Sequence, residues 1–202
     1  GEKMTDFLRN RFKEYPNFRV IRSSFEDAIL DEDSYDLVYA ASSFHWVDAE
    51  IGCPKVYQLL KNGGAFALFR NNTVPAYGDV VFEEIQTVYE KYYYSYHTTR
   101  PRPVKRSNED YLKPSEIYRG FRLYGLEEYG FKDITMKLYD FTKTYMADDY
   151  ISLLDTFSDH ISLPDENRKG LYEGVYDIIQ RHGGNHKVDY VFQLYMGRKQ
   201  KD

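Results

Sequence analysis

His45 is the residue of this sequence best placed to move a proton. It follows the run Tyr35-Asp36-Leu37-Val38-Tyr39-Ala40-Ala41-Ser42, which is apolar on both faces apart from its ends, the pattern of a central parallel strand covered by helices on each side. Open α/β sheets bind ligands at the carboxyl edge of their strands, and His45 falls at that edge. An imidazole there can contact a substrate or serve as a general base; the alternative is a histidine that only caps the next helix. Trp46 either fills the edge of the core, where its N–H needs one partner, or meets the substrate. Asn71-Asn72 follow a second buried strand, Ala65 to Phe69. They too fall at the ligand edge, although asparagine is an ordinary turn residue.

Other reactive side chains read differently. His182 and His186 resemble metal spacing only superficially, because Gly183-Gly184 breaks the helix that would bring them to one face and no third ligand accompanies them. Cys53 lies inside a predicted helix and reads as inert. Tyr89, Tyr92, Tyr93, Tyr94 and Tyr96 either line a pocket or divide between packing and solvent. Arg100, Arg102, Lys105 and Arg106 either recruit an anion such as a carboxylate, which Arg pairs bidentately, or form a solvated loop.

These residues need a scaffold, and the rest of the chain predicts one. Two hundred and two residues at 24.0 kDa suffice for a domain with a real core. Lys and Arg total 27 against 32 Asp and Glu, a net charge of −5, so the overall field repels phosphate backbones and nucleic acid is excluded as a default partner. One cysteine, no secretory signal and no long apolar run point to a cytoplasmic protein without a membrane partner. Phe7, Leu8 and Phe12 predict a helix stopped at Tyr15-Pro16-Asn17, and Phe18, Val20 and Ile21 a short strand. Helices are predicted over Ala49 to Leu60 with Asp48 as N-cap, Asp79 to about Tyr94, Ser115 to Glu128, Asp148 to Phe157 and Pro164 to His182. Lys61-Asn62-Gly63-Gly64 closes the first of these, and further strands run from Lys132 to Tyr145 and Val188 to Met196. Alternation of strand and helix predicts a doubly wound α/β sheet.

Several strings resemble the class I S-adenosylmethionine-dependent methyltransferases, particularly the small-molecule branch that includes trans-aconitate methyltransferase-like proteins. Ser34 to Asp48 looks like that family's fourth strand and the His-Trp turn after it, and Leu59 to Phe69 like its fifth strand with the preceding Leu-Lys-x-Gly-Gly turn. Ser23-Ser24-Phe25-Glu26 occupies the place of the segment that lies against the cofactor's adenine, with Ser24 where an Asp is common. The resemblance implies a Rossmann-like, mostly parallel sheet of order 3-2-1-4-5-7-6. It implies S-adenosylmethionine as cofactor, held by Ser24, Phe25, Glu26 and Ser42, and methyl transfer by in-line displacement to a small acceptor touched by Trp46 and Asn71, with His45 as catalytic residue and no metal required.

The family's Gly-x-Gly-x-Gly loop is absent from the chain, and Gly1-Glu2-Lys3-Met4 looks like the segment just after the second strand. The expectation is a single methyltransferase-like domain over 1–202 without the first two strands and one helix, about 40–50 residues by element-length priors. Helical or loop insertions at about 95–128 and 146–186 would lie over the substrate side, and a homodimer could form. Two rivals remain. A nicotinamide-dependent oxidoreductase would need a Gly-x-Gly-x-x-Gly fingerprint, and a non-enzymatic binding or scaffold protein could carry a degenerate form of the same fold.

Overall fold

The computed structural model describes residues 1–113 and 125–200. Contacts divide the chain into two compact units, one made of Gly1–Arg70, Leu112–Lys137 and Leu194–Asp202, the other of Asn71–Tyr111 and Leu138–Gln193. One four-stranded sheet has the order β1-β2-β4-β3, with β1 at Tyr35–Ala41, β2 at Leu60–Thr73, β3 at Lys132–Met146 and β4 at Asn185–Arg198.

In the first unit, β1 pairs parallel with β2 in the register Leu37 to Ala65 through Ala41 to Phe69. Helix α2 (Ala49–Leu59) joins them, and the Asp48 carboxylate accepts from the Glu50 amide at 2.9 Å to cap it. Gly52, Cys53, Val56 and Leu59 form its buried stripe at helical spacing. Cys53 and Val56 meet Leu60, Phe66 and Leu68 of β2 and Phe131 and Tyr195 in one core. The strand of β2 begins earlier than the glycine turn predicts. The Gly63 amide donates to Lys199 O at 3.0 Å and the Lys199 amide to Gly64 O at 2.9 Å, so ladder bonding continues through Lys61–Gly64. Gly63 donates to Lys199 and Val74 to Asp189, so β4 runs against β2. The described sheet therefore holds a parallel pair, β1 with β2, and an antiparallel one, β2 with β4.

One expectation fails in this unit. Phe18 to Ile21 form no strand; their backbone is irregular, and the Phe18 ring instead lies 4.5 Å from that of Phe12, just past helix α1 (Glu2–Arg11). β1 is one end of the described sheet, with Leu37 52% and Tyr39 65% exposed. A strand is held by a neighbour that takes up its backbone bonds, and among the described residues none adjoins either segment on that side.

The second unit joins several helices to the parts of β2, β3 and β4 within Asn71–Tyr111 and Leu138–Gln193. Helix α3 (Val80–Tyr89) is capped by Asp79, whose carboxylate accepts from the Phe82 amide at 2.9 Å. The single helix predicted to Tyr94 changes at Glu90–Tyr94 into a wider π-turn that buries the adjacent Tyr93 and Tyr94. A short helix α4 spans Asn108–Tyr111, followed along the chain by α5 (Ala147–Leu154), α6 (Ser158–Ile161) and α7 (Asp165–Arg181). Ile85 of α3 packs with Leu171, Val175, Ile178 and Ile179 of α7. Gly183 and Gly184 stop α7 at φ of 98° and 79°. The helix predicted at Ser115 to Glu128 lies mostly outside the described residues; its visible end, Gly125–Tyr129, is a 3₁₀ turn in the first unit.

Candidate functional site

The chain leaves β1 through Ser42, whose φ of 47° is left-handed and whose amide donates to Phe69 O at 2.8 Å. A non-glycine residue there is uncommon, and such strain gathers at functional sites. Phe44-His45-Trp46 then form one 3₁₀ turn. Phe44 points inward, its ring 5.1 Å from that of Phe66. With three residues per turn, Trp46 cannot share that direction, and it is 77% exposed. The reading of Trp46 as core filler is thus overturned. His45 is exposed as well, its ring 5.1 Å from the indole. The turn lies so close to α2 that a Cβ on Gly52 would collide with Val47 and come within 3.1 Å of Phe44 Cζ.

Facing α2 from the other side is the acidic segment of the sequence. Ser24 Oγ donates to Asp27 Oδ2 at 2.7 Å and accepts from the Asp27 amide at 3.1 Å, closing a turn on itself. The Glu26 carboxylate accepts from the Asp48 amide at 3.4 Å, at the start of α2. Phe25 is half-buried against the core. It lines a cavity of about 250 Å³ with Val38, Ala40, Ser43, Phe44 and Val47 among its walls. Ser43 lines this cavity; Ser42 is not among its lining residues. Lys55, which no sequence pattern singled out, donates from Nζ to the carbonyls of Glu26 at 2.7 Å and Ala28 at 2.6 Å.

The first unit therefore gathers His45, Trp46, Ser42, Ser24, Phe25 and Glu26. Asn71 differs: it does not follow β2 but lies within it, exposed, and belongs to the second unit. Its neighbour Asn72 donates to Gln193 Oε1 at 2.6 Å. The strand outlasts its apolar stretch because β4 continues to pair alongside it.

The remaining candidates are engaged elsewhere. Arg102 binds Glu90 bidentately at 2.8 and 2.7 Å and lies 4.2 Å over the Tyr94 ring. His182 meets Glu84 at 3.2 Å, and His186 is buried against Tyr150. Among the described residues no group of three His, Cys, Asp or Glu could hold a metal. Burial, reinforced by Glu50, pushes the Cys53 thiol up to about 12, as an inert buried cysteine requires. Sequence reading also missed a second-unit cluster in which Tyr89, Tyr93, Asp159 and His160 share hydrogen bonds. Its members lie far apart along the chain and carry no motif.

Residues 1–68 match a family model described as a methyltransferase domain. Two Schizosaccharomyces pombe proteins align over 181 residues, 88% of this chain. One, described as an uncharacterized methyltransferase, is 27% identical with 61% of its length covered; the other, described as methyltransferase-like, is 24% identical with 60% covered. The chain thus spans about three fifths of the length of these curated relatives. Among solved structures, a methyltransferase from Anaeromyxobacter dehalogenans superposes with a TM-score of 0.58 at 16% identity, over 93% of this chain and 74% of the other. One from Bacillus halodurans C-125 gives 0.50 at 19% identity, over 100% and 80%. The chain has a Rossmann-like methyltransferase fold. No helix among the described residues is long and apolar enough to cross a membrane.

Proposed function

We propose that the protein to which this chain belongs is a cytoplasmic S-adenosylmethionine-dependent methyltransferase of the small-molecule branch. The observation that carries this reading is the turn beyond β1. On a methyltransferase fold, at the carboxyl edge where open α/β sheets take ligands, the chain presents His45 and Trp46 to solvent from a left-handed Ser42.

The residues fit the nucleoside end of the cofactor. Phe25 offers an aromatic face, Val38, Ala40 and Val47 offer apolar walls, and Ser43 a hydroxyl, around a cavity of about 250 Å³. A flat heterocycle needs that combination of apolar surface and few polar groups. When bound, the cofactor supplies a sulfonium methyl group already activated toward in-line displacement, so holding the acceptor in line supplies much of the rate. An imidazole nitrogen of His45 accepts the proton from an acceptor hydroxyl or amine, and Trp46 gives that acceptor an apolar surface.

A second reading, a binding protein on the same fold, draws support from Ser24 and Glu26, which are bonded within the protein. Calorimetry on the full-length protein decides among the possibilities. S-Adenosylhomocysteine should bind and NADH should not; NADH binding with no response to S-adenosylhomocysteine overturns the methyltransferase reading. Binding without turnover over a panel of small acids, amines and alcohols would favour the binding protein.

A further inference from the structure

We propose that Lys55 is a positioning residue: its ammonium clamps the segment carrying Phe25 along helix α2, and so holds the aromatic wall of the nucleoside cavity in place. The inference rests on the functional reading above and adds to it a residue whose type matches no part of the resemblance.

The geometry is that of a loop laid along a helix. Residues 24–34 form no regular element, so their polar groups are met partly by turn bonds within the segment and partly by groups outside it. The outside contacts come in order along α2. Glu26 is met by the Asp48 amide, the carbonyls of Glu26 and Ala28 by Lys55, and the amides of Asp33 and Ser34 donate to Gln58 O and Leu59 O at 2.9 and 3.0 Å. Positions 48, 55 and 58–59 are about two turns and then one turn apart, which puts the three attachment points on one face of α2. The loop thus follows the helix from its start to its end.

Of these attachments Lys55 has the most to do at the cavity. A lysine on a helix surface ordinarily keeps its ammonium in water, yet this one is half-buried and donates at 2.7 and 2.6 Å to two carbonyls that flank Asp27. Its charge makes both bonds stronger than neutral ones. The same ammonium lies 5.5 Å from the centroid of the Phe25 ring, an attraction that favours the ring where it stands. Removing the ammonium leaves the backbone just after Phe25, at Glu26 and Ala28, without these donors. The segment then keeps its turn bonds at Ser24 and its attachments at the two ends of α2.

The test uses the full-length protein with S-adenosylhomocysteine as probe. Lys55→Met should weaken binding about tenfold, the loss of a charged hydrogen bond, and Lys55→Arg should recover part of it. A merely structural role would lower the melting temperature and leave the affinity of the folded protein alone. Binding of Lys55→Met within about twofold of wild type therefore overturns the proposal. Should that variant not fold, hydrogen exchange on the wild type decides. The amides of residues 25–28 should slow when S-adenosylhomocysteine is added, and unchanged exchange there overturns the positioning role even though the cofactor binds. If the wild type does not bind the probe at all, the functional reading falls first.

Discussion

His45 and His160 stand one in each unit, and their surroundings differ in every respect that matters for chemistry. His45 sits on an exposed turn beside an exposed indole. His160 is 5% exposed and bonded at both ring nitrogens, to Asp159 Oδ1 at 3.0 Å and to the Tyr89 hydroxyl at 2.9 Å. Asp159 in turn accepts from the Tyr93 hydroxyl at 2.7 Å, while its backbone carbonyl meets His97 at 2.9 Å. The bond from His160, with that from Tyr93, holds the Asp159 carboxyl well below the usual carboxylate range against the cost of its burial. Burial pushes the Tyr89 hydroxyl well above its ordinary value. On paper the second unit has the better acid–base relay. Its groups are already satisfied by one another, and a satisfied buried network orders a core. The exposed histidine of the first unit is the one on which the proposed function rests.

Four experiments can break or sharpen this contrast, and they run from large to negligible effects on stability. Phe66→Ala should cost about 3–5 kcal/mol in denaturant unfolding, because Phe66 is fully buried in the apolar core of the first unit. Asp159→Asn should cost less, about 1–3 kcal/mol, by weakening the charged hydrogen bonds of the second unit. Its sign against pH is fixed: a carboxyl lowered in the folded state stabilises above the unfolded value of about 3.9, and that contribution fades as pH falls toward the folded value. The gap between wild type and Asp159→Asn should therefore be full near neutrality and shrink below about pH 4. A gap independent of pH would mean that the carboxylate is not charged in the network.

His45→Ala should change stability by less than about 0.5 kcal/mol, as exposed substitutions do, while methyl transfer by the full-length protein falls about a hundredfold if His45 is the base. A collapse in stability would place His45 in the core; full activity would make it a turn residue only. Smallest of all is the response of Cys53. With its thiol raised to about 12, iodoacetamide at pH 8 should leave the folded protein unlabelled and label it once denatured. Mass spectrometry reads both states.

Periodicity located α2, with its Asp48 cap, and the long helix before Gly183-Gly184 because apolar spacing and end signals agree there. It located β1 and the core of β2 because unbroken apolar runs flank that helix. Periodicity alone gives no strand order, which depends on partners distant in the chain; an order with the last strand between the two before it comes only from the family resemblance. The Phe18 to Ile21 run reads as a strand by composition and fails for want of a partner. In the site, Phe44-His45-Trp46 was legible as a turn, but which ring points inward follows from 3₁₀ geometry and not from residue type. Lys55 was invisible for a different reason: its role lies in two backbone carbonyls, which every residue possesses.

Trp46 is the one tryptophan of the chain, which gives its exposed position a use in the laboratory. Indole emission from these 202 residues comes from the turn beyond β1 and from nowhere else in them. Its wavelength should match that of an indole in water, and iodide in solution should quench it readily while the protein remains folded. An acceptor stacking on the ring, or a rearrangement of that turn, would change the colour of the light, so this stretch of chain reports on its own ligand edge without any label.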